Sequence, residues 1–458
     1  MVLDINLLIK EKGHDPELIR ESERKRCRKP EEAKTTDLVI SLDEQWRKAR
    51  FNMDQIAKEM NTFNKQIGEK KKKKEECEED IKSVLELKLK KEQLEKDERH
   101  LFEELQNKLK TIGNLVHESV FVSDNEDQNP VVRTWGKPNA IKVNSTPGAA
   151  HHHEILAMID GFDPKRGSKI SGHRGFFLKG MGALLNMALV NYGMHFLMKK
   201  NYTPMHTPFF MKKSIMAETC QLSDFDEQLY KVSTGKVATE EDPDNEFYLV
   251  ATSEQPLSAY YYNEVIDHSE LPIRFGGFST CFRKEAGAAG KDAWGIFRIH
   301  QFEKIEQFCI TTPEESWAEH EKMIAVSEEF YQSLELPYRV ISIVSGALND
   351  AAAKKYDLEA WFPGYDAYRE LVSCSNCTDY QSRGLNIKMT SQKKDKESKT
   401  GQDFVHMLNG TLCATERTLC CILENYQTPE GVVVPKVLVP YVGSEFIKYT
   451  QPIPKKEK

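Results

Sequence analysis

The chain carries two distinct rhythms of apolar and polar positions. Trp46, Ala49, Met53, Ile56, Met60, Phe63 and Ile67 fall alternately three and four residues apart, the spacing of a heptad seam on an α-helix. A second stretch, about 80–116, continues in matching phase with Val84, Leu87, Leu94, Leu101, Leu105, Ile112 and Leu115, interrupted by Lys91, Glu98 and Lys108. Gly68, the run Lys70, Lys71, Lys72, Lys73 and Lys74, and the acidic segment Glu75–Glu79 separate the two. Each stripe can be buried only against the other, so the pattern predicts an antiparallel coiled coil over about 40–116 with its turn at the basic segment. A helix of roughly 30 residues rises about 1.5 Å per residue, giving an arm on the order of 45 Å long.

The second rhythm is a period of two. In FRKEAGAAGKDAWGIFRIHQFEKIE, two short alternating segments flank a Gly/Ala-rich loop. Arg283 and Glu285 share parity on the first, and Arg298, His300, Phe302 and Glu306 share it on the second, so two strands would project each set from one side. A planar guanidinium suits a phosphate, a carboxylate accepts from an amino group, and an aromatic ring receives a base. The hairpin is therefore a candidate nucleotide site, a half-exposed hairpin with a solvated face being the plain alternative. Elsewhere, MGALLNMALVNYGMHFLMKK reads as an apolar helix. SDNEDQNPVVRTWGKPN is polar and turn-rich, so 119–150 reads as a linker. Ser233–Glu246 and Met389–Gln402 read as surface loops, and 450–458 as a disordered basic tail. His151–Glu154 reads as a polar approach to a helix, because adjacent histidines share neither a helix face nor a strand face.

Composition narrows the setting. The length, 458 residues, suffices for more than one domain with a sizeable core. No stretch approaches the roughly 18 apolar residues of a membrane span, and the start lacks a secretory layout. The expected compartment is cytosolic, where ten cysteines stay free thiols. Cys374 and Cys377 form a lone CxxC with no second pair or histidine at zinc spacing. A net charge of −7 argues against a general polyanion binder, yet the lysine run and six more basic residues within Arg20–Lys29 concentrate positive charge locally.

The segments together resemble the class II aminoacyl-tRNA synthetases. Phe282, Arg283 and Glu285 followed by Arg298 and Phe302 look like motif 2 (about 275–306). HMLNGTLCATERTLCCILENYQ looks like motif 3 (about 404–427), with Arg417 in the first turn of its helix. The apolar helix followed by NYTPMHTPFFM looks like motif 1 (about 180–211), with Pro208 at its usual place. ATSEQP, HQFEKIEQF, DLEAWFPG and RELVSCSNCTDYQ are similar to the seryl-tRNA synthetases, most closely their cytosolic eukaryotic form, and the resemblance covers nearly the whole chain. It implies an α+β fold: a tRNA-binding coiled-coil arm in 1–118, then a class II catalytic domain in 151–449 built on a mostly antiparallel sheet flanked by helices. KMTSQ faintly resembles a class I lysine loop, but has no partner motif and is read as chance.

What the resemblance implies is an ATP-dependent ligase that activates L-serine and charges tRNA(Ser), and also tRNA(Sec), working as a homodimer with Mg2+ carried by ATP. Arg283 and Arg417 would be catalytic. Arg283, Lys284, Glu285, Ile299, Phe302, Glu370, Leu371, Val372, Ser373 and Arg417 would bind ATP, with Glu370 and Ser373 as the metal ligands. Those two are three apart, so a bulge or turn must bring them to one face. Serine would be held by Thr252, Ser253, Glu254, Arg283, Glu306, Asn409 and Thr411, with Thr252 and Glu254 on one strand face. Lys70–Lys74 would meet tRNA phosphates, discriminating by shape. Departures from the family pattern are Ala289, Lys291 and Trp294 in the motif 2 loop, Gly384, and Glu416, which would add charge beside the nucleotide. A threonyl or prolyl enzyme would need an anticodon domain for which too few residues follow Arg417. An inactive scaffold or RNA-binding paralogue would be expected to have lost Arg283, Glu285 or Arg417.

Overall fold

A computed structural model describes residues 2–29, 34–138, 149–220, 227–233, 246–285, 294–391 and 402–453. The chain divides into two compact units, 2–115 and 116–458. The first contains helix α1 (Glu17–Lys25) and a helical hairpin of α2 (Thr35–Lys73) and α3 (Glu78–Leu109). Along α2 the heptad-seam residues from Trp46 to Ile67 all have reduced exposure, joined by Ala57 and Lys70. Opposite them, Lys91 and Glu98 do not break the seam but belong to it. Glu98 accepts a hydrogen bond from Trp46 Nε1 at 2.8 Å, which satisfies both polar groups where the stripe would otherwise be apolar.

The turn is shorter than expected. Helix α2 runs straight through Gly68, which has open space around it, and through four of the five lysines. The chain reverses only at Lys74, in the left-handed region at φ 60°. Glu78 and Glu79, assigned above to the connection, open α3. Lysines in the last turn of one helix and acids in the first turn of the next each complement a helix dipole, and this outweighs the roughly 1 kcal/mol cost of an interior glycine. Lys70 itself pairs with Asp80 at 2.6 Å, whereas Lys71–Lys74 are exposed.

The second unit is built on an eight-stranded sheet of β1 (Val131–Trp135), β2 (Thr203–His206), β3 (Ile273–Phe282), β4 (Gln301–Thr311), β5 (Tyr338–Ser342), β6 (Lys354–Phe362), β7 (Ala367–Asn376) and β8 (His406–Ala414). Their spatial order is β1-β5-β6-β7-β8-β4-β3-β2. Every pairing is antiparallel except β2 with β3. The α+β expectation thus holds, but 119–150 is not simply a linker. Val131–Trp135 forms the edge strand, and Val120 is buried against Ile341 and Ile343. An edge strand keeps one ladder side in water, which is why its surroundings look like loop sequence.

Helices α4 (His152–Met158), α5 (Gly180–Lys199), α7 (Ser316–Ser333) and α8 (Thr415–Asn425), with the short α6 (Glu254–Ser258), surround the sheet. Central strands β4 and β8 are buried over nearly their whole length, because helices and loops cover both faces. Helix α4 is entered through His151 and a capping box with Glu154, the polar approach anticipated for that segment. The ends of the two polar insertions, Ser233, Glu246, Met389 and Gln402, lie in short strands. Their interiors, and the tail from 454, lie outside the described residues. The start of the tail is fixed by Thr450 and Gln451 N–H groups donating to the Met158 carbonyl.

Helix α5 packs close to the chain before it because Gly182 carries no Cβ: one built there would lie 2.3 Å from the Gly161 carbonyl oxygen. Backbone cannot yield as a side chain does. Gly182→Ala is expected to destabilise this unit by about 1–3 kcal/mol, read as a lower urea midpoint at unchanged slope; an unmoved midpoint would contradict this packing.

Candidate active site

The hairpin motif folds differently from its parity. Strand β3 ends at Phe282, so Arg283 and Glu285 lie beyond the ladder, Glu285 with φ 48°. Strand β4 starts at Gln301, which leaves Arg298 and His300 in the returning turn. Tertiary bonds take over where the ladder stops. Arg283 N–H donates to His300 O at 2.9 Å, and its Nε to Ala251 O at 3.2 Å. Thr252 and Glu254 are not strand neighbours either: Thr252 precedes α6 and Glu254 begins it. Glu254 accepts from Asn409 at 3.0 Å and Gln381 at 2.8 Å.

Two breaks of register bring the remaining side chains together. Between β4 and β8 the pairing slips from Ile305 opposite Cys413 to Glu306 opposite Thr411. Between β6 and β7 it slips from Leu358 opposite Val372 to Glu359 opposite Glu370. Each leaves one extra residue on one strand, a β-bulge. The second is the irregularity that Glu370 and Ser373 require to share a face.

A cavity of about 260 Å3 results, lined by Thr252, Glu254, Arg283, Glu285, Ile299, Phe302, Glu306, Glu370, Leu371, Ser373, Asn409, Thr411 and Arg417 among others. Three expected residues are not on its wall. Ser253 is buried with its hydroxyl toward Gly277 O at 3.5 Å. Val372 faces the apolar core, since the bulge turns Leu371 into the cavity instead. Lys284 lies after the strand end, with its N–H on Gln228 O. Ala289 and Lys291 lie outside the described residues, while Trp294 packs edge-on to His151 and His153.

Sequence reasoning missed Lys304, Lys355 and Asn349, which also line the cavity. Lys304 has the parity of Phe302 and Glu306, so the signal was present. It forms an ion pair with Glu306, the two side chains being 8% and 2% exposed. Burial, and then the charge of Glu306, raises the Glu254 carboxyl above its ordinary range. At the other end stand Arg283, its guanidinium 5.3 Å from the Phe302 ring centre, and Arg417, 4.9 Å from that of Phe297. Arg417 is anchored by Phe297 O and Glu370 O, each at 3.3 Å. Burial lowers its pKa, yet a guanidinium stays charged.

Around Glu370 and Ser373 the donors suit a hard cation. Asp357 lies beside them, half-buried, with a shielded Oδ1 that lacks a hydrogen-bond partner. Burial and the charge of Glu370 push it up to about 7. Among the described residues no group of three or more His, Cys, Asp or Glu side chains is arranged to hold a metal by itself, so phosphate oxygens would have to complete the shell, the usual situation for Mg2+.

This sheet, with its guanidinium and carboxylate cavity, is that of a class II aminoacyl-tRNA synthetase: residues 230–426 match the tRNA synthetase class II core domain (G, H, P, S and T), and 2–116 match the seryl-tRNA synthetase N-terminal domain. A cytoplasmic serine–tRNA ligase of Schizosaccharomyces pombe is 51% identical over 99% of this chain and 98% of its own length. That of Saccharomyces cerevisiae is 50% identical over 99% and 97%. The crystal structure of cytoplasmic serine–tRNA ligase from Naegleria fowleri in complex with AMP superposes with a TM-score of 0.84 at 48% identity, covering 98% of this chain and all of that one. Seryl-tRNA synthetase from Pyrococcus horikoshii complexed with ATP gives 0.86 at 36% identity, with the same coverage. The chain belongs to the seryl-tRNA synthetase family.

Lys304→Met would strand the Glu306 charge in the interior, and breaking a buried pair at one partner costs about 3–5 kcal/mol. Adding Glu306→Gln should restore most of that loss. Thermal melts of the single and double variants check it, and a double variant no more stable than the single would contradict it.

Proposed function

We propose that this chain is a serine–tRNA ligase that activates L-serine with ATP to seryl-adenylate and transfers the seryl group to tRNA(Ser), and to tRNA(Sec). The observation that carries the reading is the convergence of Arg283, Phe302 and Arg417 with Thr252, Glu254, Glu306, Asn409 and Thr411 on one cavity. The relatives described above, named serine–tRNA ligases over their whole length, support it. In the first step a carboxylate oxygen of serine attacks the α-phosphorus of ATP. The bond to the bridging oxygen breaks, and pyrophosphate leaves. In the second, a ribose hydroxyl of the tRNA terminus attacks the adenylate carbonyl and AMP leaves.

Neither step demands much of a protein base; alignment and charge neutralisation dominate. Arg283 is assigned the bridge between α-phosphate and carboxylate, where a forked donor fixes both reactants. Glu285 and the backbone near Ile299 read the adenine edge. Phe302 and Arg417 enclose the base, and stacking of this kind contributes about 1–3 kcal/mol. Glu254 and Glu306, beside Lys304, form the polar end suited to the ammonium and hydroxyl of serine, which lets the site reject alanine far better than an apolar pocket could. Mg2+ accompanying ATP would be held by Glu370 and Ser373 and supplies neutralisation of triphosphate charge. Lys71–Lys74, exposed at the hairpin turn, are assigned to tRNA phosphates. Exposed Leu184, Met187 and Met198 on α5 support a homodimer, and the relatives' names support a cytoplasmic location.

ATP–pyrophosphate exchange should depend on L-serine and Mg2+, and equal exchange with other amino acids would reject the reading. Arg283→Ala should lower exchange by about a thousandfold or more, the scale of a lost transition-state donor; an active variant would remove its assigned role. Replacing Lys71–Lys74 with glutamine should weaken tRNA charging and flatten its salt dependence, with serine-dependent exchange as the comparator. Equal loss of both, or of neither, would contradict the arm assignment.

A further inference from the structure

The polar end of the cavity holds two carboxyl groups, and they are satisfied in opposite ways. Glu306 is paired with a cation, Lys304, and both side chains are almost fully buried. Glu254 also lines the cavity, yet among the described residues it has no lysine or arginine at ion-pair distance. Its side-chain partners are two neutral amides: Asn409 Nδ2 donates to Oε1 at 3.0 Å, and Gln381 Nε2 donates to the same oxygen at 2.8 Å. Asn409 stands on the cavity wall. Gln381 is not a lining residue; it is 0% exposed, on the short helix Tyr380–Leu385. That helix has little freedom. The Ser382 hydroxyl donates to Val405 O at 2.6 Å, Arg383 pairs with Asp379 at 2.7 Å, and Leu385 packs in one apolar cluster with Leu257 of α6. Glu254 opens α6, and its N–H donates to the Thr252 hydroxyl at 3.2 Å. Both ends of the Gln381–Glu254 bond are therefore carried on fixed backbone.

Two features of the Gln381 amide point beyond packing. Its Oε1 is buried with no hydrogen-bond partner, a cost that an apolar side chain of the same bulk would not carry. The half of the amide that is paired is the half that faces Glu254. Its donor, moreover, goes to an oxygen that already has one. Two N–H groups occupy the lone pairs of Oε1, and among the described residues Oε2 accepts no hydrogen bond. The second oxygen of Glu254 is thus the one left for a ligand.

We propose that Gln381 is a positioning residue for the amino-acid substrate: with Asn409 it holds Glu254 by Oε1, leaves Oε2 to the ammonium group of serine, and does so without cancelling the negative charge. A neutral donor is what this requires. A lysine or arginine at 381 would orient the carboxylate equally well, but it would close an ion pair of the kind Lys304 forms with Glu306. An ammonium has three N–H donors, so it can take the open Glu254 oxygen with one and share Glu306 with Lys304 through another. Burial and then the charge of Glu306 raise the Glu254 carboxyl, and the bond from Gln381 opposes them by favouring the ionised form. That is the form an ammonium needs. The assignment deepens the reading of the cavity as a serine site and rests on it.

The test is serine-dependent ATP–pyrophosphate exchange with the full chain, wild type against Gln381→Met and Gln381→Asn, with thermal melts of all three. Methionine has nearly the bulk of glutamine without a donor. It also removes the unpaired oxygen, so the melting temperature should not fall. Asparagine keeps an amide but draws it back by one methylene. In Gln381→Met, KM for serine should rise about tenfold or more, the scale of a lost hydrogen bond to a charged group. KM for ATP and kcat should stay unchanged, the signature of lost substrate binding rather than lost chemistry. Gln381→Asn should show the same split in smaller measure, and it carries the test where the methionine variant does not fold. An unchanged KM for serine in a folded variant would overturn the assignment. So would KM values for serine and ATP that rise together with a lowered melting temperature, or failure of both variants to fold, since either makes Gln381 a residue of the fold alone. A wild type without serine-dependent exchange would strike the reading of the cavity as a serine site, and this assignment with it. Serine-dependent exchange in the wild type, with no split in the variants, would strike the assignment alone.

Discussion

A sheet covered on both faces has no room for polar side chains unless its ladder is interrupted, and the second unit is organised around that constraint. Strands β4 and β8 are buried for most of their length, yet Lys304, Glu306, Asn409 and Thr411 all reach one cavity. The two bulges make this possible. Each inserts a residue that shifts the partner's facing set by one, so polar groups that strict alternation would send elsewhere meet across neighbouring strands. Other lining groups come from where strands end: Arg283 and Glu285 after β3, Arg298 before β4, Arg417 after β8. Functional side chains at strand ends cost the sheet no ladder bonds, and their orientation is set by specific tertiary contacts such as Arg283 to Ala251 O.

The same constraint explains what the sequence revealed and what it hid. A heptad seam is a local pattern with one partner, and the arm helices follow it from Trp46 to Ile67 and from Val84 to Leu105, including the polar Trp46–Glu98 contact that looked like an interruption; past Leu105 the second helix departs from it, with Lys108 exposed, Leu109 buried and the helix ended before Ile112 and Leu115. The motif 3 strand and helix are equally local, and Arg417 stands in the first turn of the helix, where the resemblance implied. Parity arguments failed at Arg283, Glu285, Arg298 and Thr252 because nothing in the alternation marks where a ladder stops. The resemblance misplaced Val372, though not Leu371, because a bulge leaves no trace in composition. For Glu370 and Ser373, three positions apart, the need for a bulge was legible although its location was not. Val131–Trp135 was lost to the opposite error: polar, turn-rich flanks hid an edge strand that is half in water by nature.

Charge is segregated within the cavity. Glu254 and Glu306 share one end with Lys304, while Arg283, Arg298 and Arg417 face Glu285 and Glu370 at the other. Lys304, Arg298 and Arg417 each have an acid partner, in Glu306, Glu285 and Glu370, so much of the charge in the cavity is compensated from within. Polyphosphate entering the arginine end and an ammonium entering the glutamate end would each replace part of an internal ion pair. The protein is thus pre-paired against its own burial cost, and specificity follows from which internal partner a ligand can substitute.

The arm obeys a related economy. Its lysines occupy the C-terminal turn of α2, where they favour the helix dipole, and the acids after them do the same for α3. The basic run is therefore explained structurally before any ligand is invoked, and its charge is followed at once by Glu75, Glu76, Glu78 and Glu79. What singles out Lys71–Lys74 is exposure: Lys70 is held at the seam by Asp80, while the other four leave their ammonium groups in water. Since acidic replacements there would also oppose the dipole of α2, loss of binding and loss of the helix end would be confounded. Neutral replacements separate them, because an amide removes the phosphate contact while leaving the helix terminus without a repulsive charge.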